Sequence, residues 1–448
     1  MLFKSRGLAI LLMVLLAASV FAGGGRQSQS QNWDDQIVRV LNYNNLTLPN
    51  VAGDLQWIYE TFNEKHPEIS VYREDLYLEP FHAKVEAYAA SGNLPDVIMV
   101  WPSGRSTTLH KNKLLKDLTP LLRRDNLLNS FIPMVTDPKQ SDSGYVSFIP
   151  LDITSSHAFY INMEVLNACG LQPAKTYSEL KAQVPVLRAR GYETVIIPCK
   201  ADWVMQSCLF STVAGRFGGA DWHERILAGT AKFTDPDFVN ALDFIRQMYA
   251  DGVILQSSLG MDYDDGPGAF ATNKSAYYID GDWRASAFIT DADTGQALFD
   301  PNTRQKNVLV TVFPDIEGAK INKSASIILG TGWAMNAAIP AGSKREAAAW
   351  ELLKWLTGRE VLELGLLHGN YATSTRTDID IAGLDLEPLL RAVGNLNKEY
   401  TTGTAVIDGV FNPEVYMVVN DGLTEIGLGS KTPQQVAQDV QRAFDSSR

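Results

Sequence analysis

The chain has 448 residues, 45% of them hydrophobic, and a formal net charge of −12. That length exceeds what one hydrophobic core serves, so two lobes or domains are expected. The acidic balance argues against nucleic acid and anionic lipid as partners, since both are bound by clustered Lys and Arg.

In chain order, the first 22 residues place Lys4 and Arg6 before an apolar run, Leu8 to Leu16, and end on Val20-Phe21-Ala22. This pattern predicts a secretory signal peptide cleaved after Ala22; the run is too short for a membrane span. No Cys follows the cleavage point, so no lipid anchor is expected, and removing Lys4 and Arg6 makes the exported chain more acidic still. Residues 23–32, rich in Gly, Ser and Gln, read as a flexible leader. No later stretch has the ~20 consecutive apolar residues of a membrane helix. The expected location is the periplasm.

A strand–helix alternation follows. Residues 37–43 alternate as a strand, and 53–66 put Leu55, Ile58, Tyr59 and Phe62 on one helical stripe. Residues 68–76 form a second strand, 80–91 a second helix, and Asp96–Trp101 a third strand. Such alternation predicts a parallel, doubly wound sheet, and ligands of such sheets sit beyond the carboxyl ends of the strands. Trp101 lies at one such end, with Asn42, Asn44 and Asn45 at another.

Later helices are marked by their starts. Thr176-x-x-Glu179, Ser343-x-x-Glu346, Thr357-x-x-Glu360 and Thr432-x-x-Gln435 are capping boxes, and Asp235-Pro236 opens a helix ending near Gly252. The box at Thr357 directly follows the preceding helix, a natural place for the chain to change lobe.

Catalytic signatures are sparse: no Gly-x-Ser-x-Gly elbow, His-Glu-x-x-His helix or Walker loop occurs. The stretches Asp262–Asp265 and Asp291–Asp300 each carry part of a calcium loop without its full ligand ladder, so no metal is expected. Cys169, Cys199 and Cys208 make no disulfide framework and no zinc site; they read as small buried hydrophobes, with a Cys199–Cys208 bridge left open.

Four segments, in order, resemble one family. They are "NLPDVIMVW" with the helix after it, "VSFIPLDITSSHAFYINMEVLNACGLQPAKTYSELKA", "AFATNKSAYYIDGDWRASAF", and "GTGWAMNAAIPAGSKREAAAWELLKWLTGREVLELG". Together they are similar to extracellular solute-binding proteins of the maltose-binding type, the substrate receptors of ATP-driven (ABC) sugar importers. The resemblance implies two doubly wound α/β lobes joined by a multi-strand hinge. Lobe crossings are expected near Phe148–Asp152, near Asn307–Thr311 and at Thr357-Gly358. That gives a first lobe of 33–149 with 308–357 and a second of 150–307 with 358–448.

It further implies a carbohydrate held between the lobes, no catalysis and no cofactor, a monomer, and an ABC permease of the inner membrane as partner. Aromatic rings would stack on sugar C–H faces while Asp, Asn and Arg take the hydroxyls; the chain has 9 Trp and 16 Tyr. The site residues expected on this basis are Trp101, Arg105, Trp283, Asp282, Trp203, Asp152, Asn44, Trp333 and Tyr371. Core packing is the competing reading for Trp101 and Trp333, a solvated or capping role for Asp282, a hinge role for Asp152 and a turn role for Asn44. His157 and His368 read as structural. Two alternatives stay open: a secreted carbohydrate-active hydrolase or lyase with facing carboxylates, and a receptor of the same fold for a polyol phosphate, a polyamine or a metal such as ferric iron.

Overall fold

The computed structural model describes residues 37–47, 49–102, 104–292, 294–400 and 404–447. The expected signal peptide, the leader and the start of the first lobe lie outside the described residues. Among the described residues are eleven strands: β1 Ile37–Tyr43, β2 Ser70–Leu76, β3 Val97–Val100, β4 Phe148–Pro150, β5 Ile153–Ser155, β6 Ala158–Asn162, β7 Glu193–Ile196, β8 Ser275–Asp280, β9 Val308–Thr311, β10 Ile327–Leu329 and β11 Gly332–Met335.

They make two main sheets. The first runs β2-β1-β3-β11-β4 and the second β7-β8-β6-β9. In the first, β1 pairs parallel with β2 and β3, while β11 runs antiparallel to both β3 and β4. The expected parallel core is therefore real but is completed by two strands of returning chain. Val38, Val40 and Leu41 of β1 and all of β3 are buried, as a strand covered on both faces requires. Helices Pro49–Lys65 and Lys344–Leu356 cover this sheet, with Phe62 and Trp350 fully buried beneath them. The second sheet carries its own cores, one around Phe159 and Tyr277 and one around Tyr160 and Phe270.

The helix starts follow the capping pattern. Thr176 and Ser343 accept the backbone N–H of Glu179 and Glu346, and Thr432 with Gln435 closes a full box. At Ser343 the box is only half made, because Glu346 turns to Gly342 N and Lys116 instead.

Three segments join the lobes. β5 and β10 pair antiparallel, Ile153 opposite Leu329 and Ser155 opposite Ile327. Alongside, Thr373 brackets Ile153, accepting its N–H at 2.9 Å and donating to its carbonyl at 2.6 Å, and Thr375 donates to Pro150 O. The chain passes from β4, in the first sheet, directly into β5 over residues 148–155.

The other two expected crossings differ. β9 pairs with β6, Phe159 opposite Thr311, and stays in the second sheet; the chain returns through β10 instead. Helix Arg359–Leu367 puts Leu362 and Leu366 into the first core, and Lys65 reaches its Glu360 at 2.7 Å. The chain leaves that lobe only between Leu386, in the first core, and Leu389, in the second lobe. The expected Thr357 box is not formed: Thr357 closes the preceding helix, its hydroxyl donating to Leu353 O at 2.9 Å, and Gly358 starts the next helix within the same lobe. A cap reports where a helix starts and carries no information about which core the helix joins.

At Gly332 the strand crosses so close to its neighbour that an added Cβ would lie 2.3 Å from Ile149 O. Gly332→Ala is expected to cost about 1–3 kcal/mol by overpacking the sheet, read as a lower urea midpoint; an unchanged midpoint would contradict this packing.

Candidate functional site

The carboxyl ends of β1, β2 and β3 share one edge of the first sheet, since the three strands run parallel. Aromatic residues collect there because each strand leaves its sheet at that edge with a ring: Tyr43 ends β1, Tyr77 follows β2 and Trp101 follows β3. Phe81 and His82, from the first turn of helix Glu79–Ser91, complete the wall. The Trp101 ring lies 4.9 Å from Tyr43 in an edge-to-face contact and 5.0 Å from His82, and Tyr43 lies 5.2 Å from Tyr77. Such edge contacts add to burial in fixing the rings. Leu78, between Tyr77 and this helix, has φ 54°, a left-handed conformation rare for a branched side chain.

Trp101 is further fixed by its backbone. Its N–H donates to Ser106 Oγ at 3.0 Å, and its carbonyl accepts from His110 Nε2 at 2.8 Å. Arg105, four residues on, donates to Glu79 Oε1 at 3.0 Å. Burial, with the Arg105 charge beside it, pushes His82 down to about 3, so its ring is neutral at physiological pH.

The second lobe supplies an opposing wall. Trp203 lies 5.0 Å from Tyr263 and 6.3 Å from Trp283, and Trp283 Nε1 donates to the Tyr263 hydroxyl at 2.7 Å. The Trp283 ring folds back over Gly281, where a Cβ would sit 2.3 Å from it. Arg284 stacks on Tyr263 at 4.1 Å and ion-pairs with Asp280 at 2.7 Å.

The two walls belong to lobes that touch. An added Cβ on Gly104 would fall 1.2 Å from the Asp408 carbonyl oxygen, so only glycine permits this approach. Burial raises the Asp408 carboxyl, while the Arg105 guanidinium from the first lobe holds it back down. Tyr77 likewise faces the second lobe: burial pushes it up to about 12, with Asp264 and Asp280 adding to the rise and Arg284 opposing it.

The expected site residues divide into three groups. Trp101 and Arg105 stand on the first wall, Trp203 and Trp283 on the second. Asn44, after β1, has its backbone N–H on Leu76 O, and its buried Nδ2 has no hydrogen-bond partner among the described residues. Asp152, Asp282 and Tyr371 gather instead at the hinge. Asp282 accepts from Thr154 Oγ1, from Ser155 N at 2.7 Å and from Asn397 Nδ2 at 2.7 Å, and is 5% exposed. Its oxygens are committed to holding β5 and helix Pro388–Glu399 together, which replaces the expected ligand contact. Asp152 packs against Gly330 of the paired segment, where a Cβ would lie 1.7 Å from its Oδ1. Tyr371 lies over Gly365, close enough to Asp152 and Asp54 for both to raise its hydroxyl beyond what burial does. Trp333 is 3% exposed within the first core and faces no cleft: β11 is an interior strand, so its rings pack between layers.

Tyr43, Tyr77, His82, Tyr263, Arg284 and Asp408 were missed. The rule that singled out Trp101, an aromatic residue at a parallel strand's exit, applies equally to Tyr43 and Tyr77. Asp408 had no such signal, since its place depends on a late segment crossing back to the cleft.

Other candidates fall away from this region. His157 accepts from Phe313 N at 2.9 Å and His368 pairs with Asp54 at 2.6 Å, both as internal supports. Lys200 engages Asp262, and Asp291 and Asp300 cap their own turns. Among the described residues no group of three or more His, Cys, Asp or Glu is placed to hold a metal ion, and the three cysteines are free and buried. No described helix is long and apolar enough to cross a membrane. A recess on the outer face of the second lobe, lined by Asp421, Glu425, Lys431 and Asp439, is spanned by Lys431, which pairs with both Glu425 and Asp439.

Residues 47–363 match the family described as bacterial extracellular solute-binding protein. Comparison with curated proteins found no significant match. Among solved structures, a chitin oligosaccharide binding protein superimposes with a TM-score of 0.79 at 20% identity, over 92% of this chain and 98% of that one. A chain from work on xylan utilization by the thermophilic bacterium Caldanaerobius polysaccharolyticus gives 0.78 at 20% identity, over 91% and 99%. A maltose/maltodextrin-binding domain from Bdellovibrio bacteriovorus, bound to maltotriose, gives 0.68 at 18% identity, over 92% and 99%. At these identities the likeness is one of fold.

The hinge carboxylates predict a pH effect. Burial pushes Asp282 up to about 6, outweighing its three donors, and burial also raises Asp152, with the Asp282 charge adding to it. A carboxyl raised in the folded state stabilises the fold while protonated, and that stability is lost as pH rises through about 6. From pH 4 to pH 7 the unfolding free energy of wild type should therefore fall relative to that of Asp282→Asn, by about 3 kcal/mol at most. Urea titrations at both pH values measure it; a difference between the two proteins that does not change with pH would contradict the assignment.

Proposed function

We propose that this chain, which belongs to the bacterial extracellular solute-binding protein family, captures a carbohydrate between its lobes and delivers it unchanged to an ABC permease. The observation carrying this reading is the pair of facing aromatic walls, Tyr43, Tyr77 and Trp101 on one lobe and Trp203, Tyr263 and Trp283 on the other. Rings from both sides suit a pyranose, whose two faces are apolar C–H surfaces and whose rim is hydroxyl.

The mechanism is closure. A ligand that touches only one wall binds open and closed forms alike and shifts nothing. One that stacks on Trp101 and Trp283 together gains contacts only when Gly104 meets Asp408, and its binding energy then favours the closed form. The names of similar structures, binders of chitin oligosaccharide and of maltotriose, support a saccharide over a polyamine or a metal.

A hydrolase needs two carboxylates free to face a glycosidic bond. The closely placed pair here, Asp152 and Asp282, is tied into the hinge, and Asp282 is saturated by three donors. This favours the receptor over the enzyme.

Calorimetry with maltotriose, chitotriose, xylotriose and raffinose, with chromatography of each mixture, tests the proposal. Saturable binding of at least one is expected, without product. Trp101→Ala and Trp283→Ala should each weaken it by about tenfold or more, with little change in the melting temperature of the free protein. Formation of shorter sugars, or no binding of any saccharide, would overturn it.

A further inference from the structure

The second wall holds one donor whose hydrogen bond is unmade. Arg284 Nη2 is buried and has no hydrogen-bond partner among the described residues. The rest of that side chain is fixed. Its Nε donates to Asp280 Oδ2 at 2.7 Å, and its guanidinium carbon lies 4.1 Å over the Tyr263 ring.

Asp280 is itself over-determined. The carboxylate is fully buried and accepts from the Tyr278 hydroxyl at 3.0 Å, the Tyr263 hydroxyl at 3.1 Å and Gly281 N at 2.8 Å. Tyr263 in turn accepts from Trp283 Nε1 at 2.7 Å, so one carboxylate sets both the guanidinium and the indole of this wall. A rigid planar fork with one arm occupied leaves the other arm aimed in a set direction. Across the cleft stands Tyr77, whose hydroxyl feels the Arg284 charge.

We propose that Arg284 is the specificity-determining residue of the second lobe, donating through Nη2 to a neutral oxygen of the saccharide, and that Asp280 is its positioning residue. The inference rests on the reading of the cleft given above and names the ligand class within it. A buried unpaired donor is costly, so the ligand that supplies an acceptor is selected over one that does not. The acceptor is neutral because Asp280, in a 2.7 Å ion pair, already cancels the guanidinium charge. A uronate or a sugar phosphate would meet a guanidinium already neutralised and so leave its own charge desolvated and unpaired.

The test sets maltotriose, chitotriose, xylotriose and raffinose against digalacturonate and glucose 6-phosphate, by calorimetry at low salt. The expected result is that wild type binds a neutral probe and neither acidic one. Arg284→Gln and Arg284→Lys should both weaken the neutral probe by about tenfold or more. Lys keeps a charge for Asp280 and so preserves the fold should Gln not, but it loses the planar second arm. Asp280→Asn should shift the ratio toward the acidic probes, because it removes the neutralising charge; a purely structural role would weaken all probes alike. If both Arg284 variants bind the neutral probe as wild type does while Trp101→Ala fails, the inference falls and the receptor reading stands. Tighter wild-type binding of an acidic probe than of every neutral one overturns the ligand class. If wild type binds no saccharide at all, both fall together.

Discussion

The arrangement of the whole molecule turns on the hinge carboxylate of Asp282. It stands at the end of β8, reaches the backbone and side chains of β5, and is bound from a third side by Asn397. Second-lobe sheet, crossing strand and late helix thus converge on one buried group. β5 cannot part from the turn after β8 without unmaking the bonds from Thr154 and Ser155, nor helix Pro388–Glu399 without unmaking that from Asn397, all in low dielectric. The second wall follows from that fixed base: Gly281 and Trp283 flank Asp282 and Arg284 comes next, so this wall is set by the same turn that anchors the hinge.

The cleft then depends on two kinds of close approach. Aromatic side chains sit at strand exits because parallel strands end together, which brings distant parts of the sequence to one edge. Glycines at 104, 281 and 330 remove the side chains that would keep backbone from lobe, ring and carboxylate respectively. The first of these lets the lobes meet and the second lets an indole lie on its own chain. The third lets Asp152 pack into the hinge.

Much of this was legible in the sequence, and the rest was hidden for identifiable reasons. The alternation of strand and helix over 37–101 depends on near neighbours and reappears nearly residue for residue, whereas of the four expected capping boxes Thr432 closes fully, Thr176 and Ser343 keep one arm, and Thr357 does not cap its helix. The choice of Trp101, Trp203 and Trp283 rested on strand ends and on resemblance; the structure puts Trp101 beside Tyr43 and His82, and Trp203 beside Tyr263 and Trp283. Which lobe a segment joins depends on contacts hundreds of residues apart, so β9 and helix Arg359–Leu367 were assigned to the wrong lobe. Asp282 and Trp333 show the same limit at single residues. An acid beside a cleft aromatic looks the same in sequence whether it faces a ligand or a hinge, and a Trp after glycines looks the same in a wall or in a core.

The central claim is that a ligand touching both aromatic walls draws the lobes together. Small-angle scattering of the wild-type protein, with and without the saccharide that calorimetry shows to saturate it, measures this most directly. The account predicts a smaller radius of gyration in the saturated sample, matching lobes that meet at Gly104 and Asp408. Saturation with no change in scattering would contradict it, since the cleft would then bind its ligand without closing.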